Sequence, residues 1–204
     1  GVVPVGPGSP REFYVCDLGQ DLVYLYRVGD SGDLEEMSRA YAPPGCGPRH
    51  GVLHPNSGFV YVICELSNQV LTFAQDKQTN ALTLVQSSDM RKCDAFCKAG
   101  EIVITPCGSA VYASNRGPTD SSVNVFRVGG DGKLDLVHSV DAPQFPRGMA
   151  LTPNGKLLLV AGQATNDLAS FRVKLGGGLE STGHLLKQGL PPNPAALGLM
   201  HVEI

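Results

Sequence analysis

The chain has 204 residues, about the size of one domain. Its 16 Lys and Arg against 19 Asp and Glu give a net charge of −3, which argues against a dedicated nucleic-acid binder, since such a protein needs a basic excess. The longest purely aliphatic stretch, Leu157–Ala161, is far too short to cross a membrane as a helix.

Charged residues are only 17% of the chain, against a usual share of roughly 25%. Gly and Pro number 25 and 15, a composition that suits many short strands joined by tight turns. In chain order, apolar strands are predicted in four pairs. These are Phe13–Cys16 with Leu22–Val28, Val60–Ile63 with Val70–Phe73, Val111–Ser114 with Val123–Phe126, and Leu158–Ala161 with Leu168–Phe171. Pro/Gly turns at Pro55–Gly58, Pro106–Gly108 and Pro153–Lys156 precede three of the pairs. Gly- or Asn-containing turns near Gly32, Asn80, Gly132 and Gly178 follow them and lead to a further strand, as at Leu82–Gln86 and Leu134–Val140. No stretch keeps apolar residues at helical spacing for more than about two turns.

The pairs are in register with one another. Arg49 lies 24 residues before Phe73, and Arg147 lies 24 before Phe171. Pro55, Pro106 and Pro153 each lie 6 residues before the second strand's Tyr61, Tyr112 or Leu159. A sandwich has turns at short intervals but no such longer period. The repeat predicts an all-β propeller of four-stranded blades, four in this chain. The blades fall near 1–44, 45–94, 95–142 and 143–190, with a closing strand in 191–204 that includes Ala196–Glu203.

In a propeller, equivalent repeat positions fall on rings around the axis. The entry to the first strand of successive blades carries Gly47-Pro48-Arg49-His50, Ala99-Gly100-Glu101 and Phe145-Pro146-Arg147-Gly148. One aligned position after the second strand carries Leu18, Glu65, Arg116 and Gln163. Both rings would meet at one channel mouth, where a guanidinium presents a donor fork suited to carboxylate or phosphate. A Glu among arginines could move a proton. The catalytic candidates are therefore Glu65, Arg49 and Arg116, and the substrate-binding candidates are His50, Arg147, Gln163 and Glu101. The alternative is structural: Arg49 and Arg147 would pair with Glu65, Glu101 or backbone carbonyls to hold the blades, and His50 would be a core histidine.

Six cysteines are too few for a disulfide scaffold, and reduced thiols in the cytoplasm are the expectation. Cys93, Cys97 and Cys107 match no familiar zinc spacing, so no metal is expected. The Gly runs at Gly129–Gly132 and Gly176–Gly178 lack the strand-loop-helix setting of a phosphate loop and read as hairpin turns.

Several of these motifs together resemble a known family. Gly47-Pro48-Arg49-His50 leads to His54-Pro55 and then to Glu65-Leu66-Ser67-Asn68. Asp17–Asp21, Ser114-Asn115-Arg116-Gly117 and Phe145–Gly148 fit the same pattern. The chain is similar to the lactonase family of seven-bladed propellers, which includes bacterial-type 6-phosphogluconolactonases and carboxymuconate lactonizing enzymes. The resemblance implies a seven-bladed ring without cofactor, acting on a small anionic lactone or on the acid that closes to one. It places Arg49, Glu65 and Arg116 on the family's active-site positions. The family's His at the entry to the first blade would fall at Gly1 or Val2, so it is either absent or lies just upstream of Gly1. The resemblance also implies that the chain is the C-terminal four blades of a longer protein. A missing N-terminal segment or self-association would then cover its open strand edges. A non-catalytic binding or scaffold propeller is the alternative function.

Overall fold

The computed structural model describes residues 1–93, 96–187, 192 and 194. Of the proposed closing strand over 191–204, all but residues 192 and 194 lie outside the described residues. Among the described residues, sixteen strands form four antiparallel sheets and no helix occurs. The first sheet holds β1 (Val2–Pro4), β2 (Glu12–Asp17), β3 (Leu22–Val28) and β4 (Leu34–Tyr41). The second holds β5 (Pro48–Leu53), β6 (Phe59–Cys64), β7 (Gln69–Gln75) and β8 (Leu82–Asp89). The third holds β9 (Lys98–Ile104), β10 (Ala110–Arg116), β11 (Ser122–Val128) and β12 (Leu134–Asp141). The fourth holds β13 (Pro146–Leu151), β14 (Leu157–Gly162), β15 (Asp167–Val173) and β16 (Leu179–Leu186). Within each sheet the strands lie in chain order, so every connection is a hairpin. The first strands β1, β5, β9 and β13 pack side by side at one edge of the stack, as the inner strands of propeller blades do.

The turns use residues that tolerate a left-handed backbone. Between the second and third strands that residue is Asp21, Asn68 or Asn166, with φ of 54°, 54° and 52°. Short polar side chains are the non-glycine residues that adopt this geometry most readily.

The core lies between the sheets. One apolar cluster joins the first and second sheets, a second joins the second and third, and a third joins the third and fourth. Phe73, Phe126 and Phe171 each pack toward the preceding sheet and are buried. Tyr26, their counterpart in the first sheet, is only half-buried.

A second aligned series latches the blades. Tyr14, Tyr61 and Tyr112 on the second strands are fully buried, and burial pushes each phenol up to about 12. Each hydroxyl donates to a backbone carbonyl in the hairpin turn of the next blade. The acceptors are Asn80 at 2.7 Å, Gly132 at 2.9 Å and Gly177 at 2.8 Å. Such a bond matters chiefly because breaking it strands a buried polar group.

The cysteine expectation needs correction. Cys46 is disulfide-bonded to Cys64, and Cys93 to Cys97, while Cys16 and Cys107 are free. The spacing of 18 residues between Cys46 and Cys64 is uninformative in a linear sequence. The β5–β6 register brings them together: Pro48 is paired with Cys64, and Cys46 precedes Pro48 by two residues. Cys107 takes no part in a group with Cys93 and Cys97, since its thiol sits against Ser109 and Thr105. Cytoplasmic placement rested on reduced thiols and loses that support.

Candidate active site at the inner rim

Three of the four inner strands are irregular at the same repeat position. In β5 the pairing shifts between Pro48 and His50, in β9 opposite Ser114, and in β13 between Pro146 and Gly148. Extra residues at such bulges re-aim side chains out of the regular alternation. The residues at these bulges are Arg49, the Gly100-Glu101 pair and Arg147, the entry-loop ring read from the sequence. Gly47 and Phe145 stand at the equivalent left-handed position before Pro-Arg, with φ of 68° and 54°. At Gly47 a Cβ would lie 2.6 Å from Leu66 Cγ, so glycine is needed there for space as well as for φ.

Glu65 is the centre of the cluster. One carboxylate oxygen stands 3.0 Å from Arg49 Nε and the other 3.0 Å from an Arg116 terminal nitrogen. The three side chains are only 12, 17 and 9% exposed in the order Arg49, Glu65, Arg116. Both guanidiniums are further tied to β9 backbone. Arg49 donates to the Gly100 carbonyl, and Arg116 donates to the Ala99 carbonyl at 2.8 Å. The Arg116 Nε hydrogen is buried without a partner among the described residues. Burial holds the Arg49 pKa below its usual value, and the neighbouring Arg116 lowers it further; Glu65 and Glu101 act the other way, and Arg147 adds to the lowering. The charge of Arg147 therefore reaches the same cluster. Among the described residues its side chain makes only a long 3.5 Å contact with Gln163 Oε1, so it is the least engaged of the three arginines there.

His50 and Glu101 form a second group on the same rim. His50 Nδ1 stands 2.7 Å from Glu101 Oε1. The same carboxylate oxygen accepts the Ile102 N–H at 3.0 Å, while the Glu101 N–H donates to Ser114 Oγ at 2.8 Å. The imidazole is 35% exposed, so it is no core histidine. A cavity of about 180 Å³ is lined by Gly1, Val2, His50, Gly51 and Glu101. A Cβ at position 1 would stand 2.8 Å from His50 Cδ2, so the ring occupies the space a side chain there would need. A larger cavity of about 480 Å³ lies at the other end of β13 and β14, around Thr152, Asn154 and Arg172. It contains none of the clustered groups, and the geometry of charge favours the inner rim as the place for chemistry.

The structure thus brings together Arg49, Glu65 and Arg116 by direct contact, and His50 with Glu101. It sets Arg147 with Gln163 beside them. Leu18, the first-blade member of the aligned ring, is an exposed apolar side chain that contributes no polar group. The structural alternative, in which Arg49 pairs with Glu65, describes real contacts, and those contacts build the cluster.

Three contributors stand in the motifs read from the sequence but are given no role there. Gly100 leaves no room for a side chain: a Cβ would meet Ser114 Oγ at 2.6 Å, the Pro146 carbonyl oxygen at 2.8 Å and Arg116 Cδ at 3.3 Å. Ser114 anchors Glu101. Asp21 accepts the Gly45 and Gly47 N–H groups, both at 2.7 Å, and thereby shapes the approach to Arg49. Those backbone bonds lower the Asp21 pKa. Asp21 could have been found from its alignment with Asn68 and Asn166, since it alone of the three carries a charge.

The chain is similar to known proteins in sequence and in fold. Residues 8–191 match the family model described as lactonase, 7-bladed beta-propeller. A 6-phosphogluconolactonase of Formosa agariphila is 34% identical over 165 residues, covering 78% of this chain and 46% of that protein. One from Enterobacter is 32% identical over 179 residues, covering 85% of this chain and 54% of its own length. Among solved structures, a protein from Lactobacillus plantarum has a TM-score of 0.85 at 30% identity, covering 96% of this chain and 56% of that one. The periplasmic gluconolactonase of Pseudomonas aeruginosa has a TM-score of 0.82 at 27% identity, covering 94% and 54%. The chain spans about half the length of the curated relatives it matches.

Proposed function

The chain belongs to the lactonase family of seven-bladed β-propellers, and from that premise we propose that its inner rim serves the hydrolytic ring-opening of a small anionic sugar lactone. One observation carries the reading: two buried guanidiniums share a single carboxylate, with a third arginine beside them. Fixed cations in a partly dry site stabilise charge that develops on oxygen without having to reorganise.

Roles follow from what each arginine already does. Arg147, the least engaged, suits a phosphate or carboxylate on the substrate. Arg116, fixed by Glu65 and the Ala99 carbonyl, suits the stabilisation by its positive charge of the lactone carbonyl oxygen as it becomes an oxyanion. Glu65 has both oxygens occupied by guanidinium nitrogens, so its role here is to hold and aim the two arginines. Gln163 limits the swing of Arg147.

The relatives named 6-phosphogluconolactonase support hydrolysis of a phosphorylated sugar lactone. Lactonization of a carboxymuconate and a purely scaffolding propeller have no such support, and both are outcomes of the same test. The native gene product that carries this chain should open 6-phosphogluconolactone faster than buffer alone, and gluconolactone less efficiently. R147Q should raise KM for the phosphorylated lactone more than for the plain one. If neither lactone is opened above the spontaneous rate, hydrolysis is wrong, and turnover of a carboxymuconate would put lactonization in its place.

A further inference from the structure

Lactone hydrolysis needs a group that takes a proton from water and returns it to the departing ring oxygen. Glu65 is poorly placed for this, because a guanidinium nitrogen stands against each of its oxygens. We propose that His50 is the proton-carrying catalytic residue and that Glu101 is its positioning residue. The inference deepens the lactone-hydrolase reading and rests on it.

The geometry has three parts. First, Glu101 Oε1 stands 2.7 Å from His50 Nδ1, so Nδ1 carries the hydrogen and Nε2 keeps its lone pair. Glu101 is itself held by the Ile102 N–H, and its backbone by Ser114, so the imidazole is oriented by a fixed group. Second, the one partner of Nε2 among the described residues is a long contact: Arg49 Nη1 lies 3.4 Å from Nε2 and 3.3 Å from Nδ1, so a substrate water has only this shared guanidinium hydrogen to displace. Third, the ring lines a cavity of about 180 Å³, room for a water and the edge of a small ring, beside the arginine cluster. The charged groups around the imidazole are Arg49 on its own strand and Glu101 on β9.

The step balances without a further reagent. His50 Nε2 accepts a proton from water as the water oxygen bonds to the lactone carbonyl carbon. The carbonyl electron pair moves onto its oxygen against the guanidiniums. When the tetrahedral intermediate collapses, the bond from that carbon to the ring oxygen breaks. The imidazolium then gives its proton to the departing oxygen, leaving a hydroxy acid and neutral His50. Glu101 keeps the imidazolium in place.

The test is steady-state kinetics on the native gene product with 6-phosphogluconolactone. H50Q should lower kcat about 100-fold or more with KM changed less than about threefold, and should abolish the acid limb of the pH–rate profile. Added imidazole should restore part of the rate to H50A, which a merely structural role would not allow. E101Q keeps the imidazole and should lower kcat about tenfold while displacing the acid limb. If the wild-type protein opens the lactone but H50Q keeps its kcat within threefold and its acid limb, the assignment is overturned while the hydrolase reading survives. An E101Q profile superimposable on wild type, or no imidazole rescue of H50A, also overturns it. A wild-type protein that opens neither lactone removes the hydrolase reading and this inference together.

Discussion

Replacing Glu65 by Gln removes the single negative charge between two buried guanidiniums. At 3.0 Å from each, the carboxylate supplies two charge-assisted bonds in a setting where all three side chains are less than one-fifth exposed. A unit charge pair at about 4 Å contributes roughly 4 kcal/mol at an effective dielectric of 20. Desolvation offsets much of that in the intact cluster, but the variant retains the desolvation of both arginines and gains their uncompensated repulsion. Breaking such a pair from one side costs about 3–5 kcal/mol. For a chain of 204 residues each kcal/mol moves the midpoint by about 2–4 °C, so E65Q should melt roughly 10 °C or more below wild type. The assay is thermal unfolding followed by circular dichroism, with and without inorganic phosphate. Phosphate should restabilise E65Q more than wild type, because an anion can take the vacated place. The companion E65Q/R116Q variant should regain part of the loss by removing the repulsion. An E65Q midpoint within about 2 °C of wild type, unchanged by phosphate, would refute the reasoning from a buried, mutually dependent cluster.

Three further outcomes are expected. Y61F removes the hydroxyl that donates to the Gly132 carbonyl at 2.9 Å and should cost about 1–3 kcal/mol by urea titration, mainly through the stranded carbonyl. Y24F, with its hydroxyl 3.5 Å from Gln20, should cost far less. Replacing Cys46 and Cys64 by Ser reopens a link across 18 residues and should cost about 3 kcal/mol, while thiol titration of the denatured, unreduced wild type should find neither of those two cysteines reactive. The Asp21 pKa is lowered from 3.8 by the Gly47 and Gly45 amides, so its contribution to stability is present above pH 3.8 and is lost as pH falls through the folded value. D21N should therefore flatten the stability profile below pH 3.8, and equal slopes for the two proteins in that range would contradict it.

The sequence alone determined the repeat, and the repeat determined the architecture. Register between units is written in fixed spacings such as Arg49 to Phe73, and hydrophobic alternation with Gly, Asn and Pro punctuation is a local property that survives in one dimension. For the same reason Arg49, Glu65 and Arg116 were legible as neighbours, because equal positions in stacked blades share one ring. Other features depended on distances between residues remote in the chain. The meeting of Cys46 with Cys64 is set by strand pairing, and the burial of Phe73 but not of Tyr26 by which neighbour covers each sheet. The division of labour within the rim is of this kind too. Which carboxylate is locked between arginines and which is paired with an imidazole follows from bulges that re-aim side chains by a few ångströms, and only the folded chain settles that.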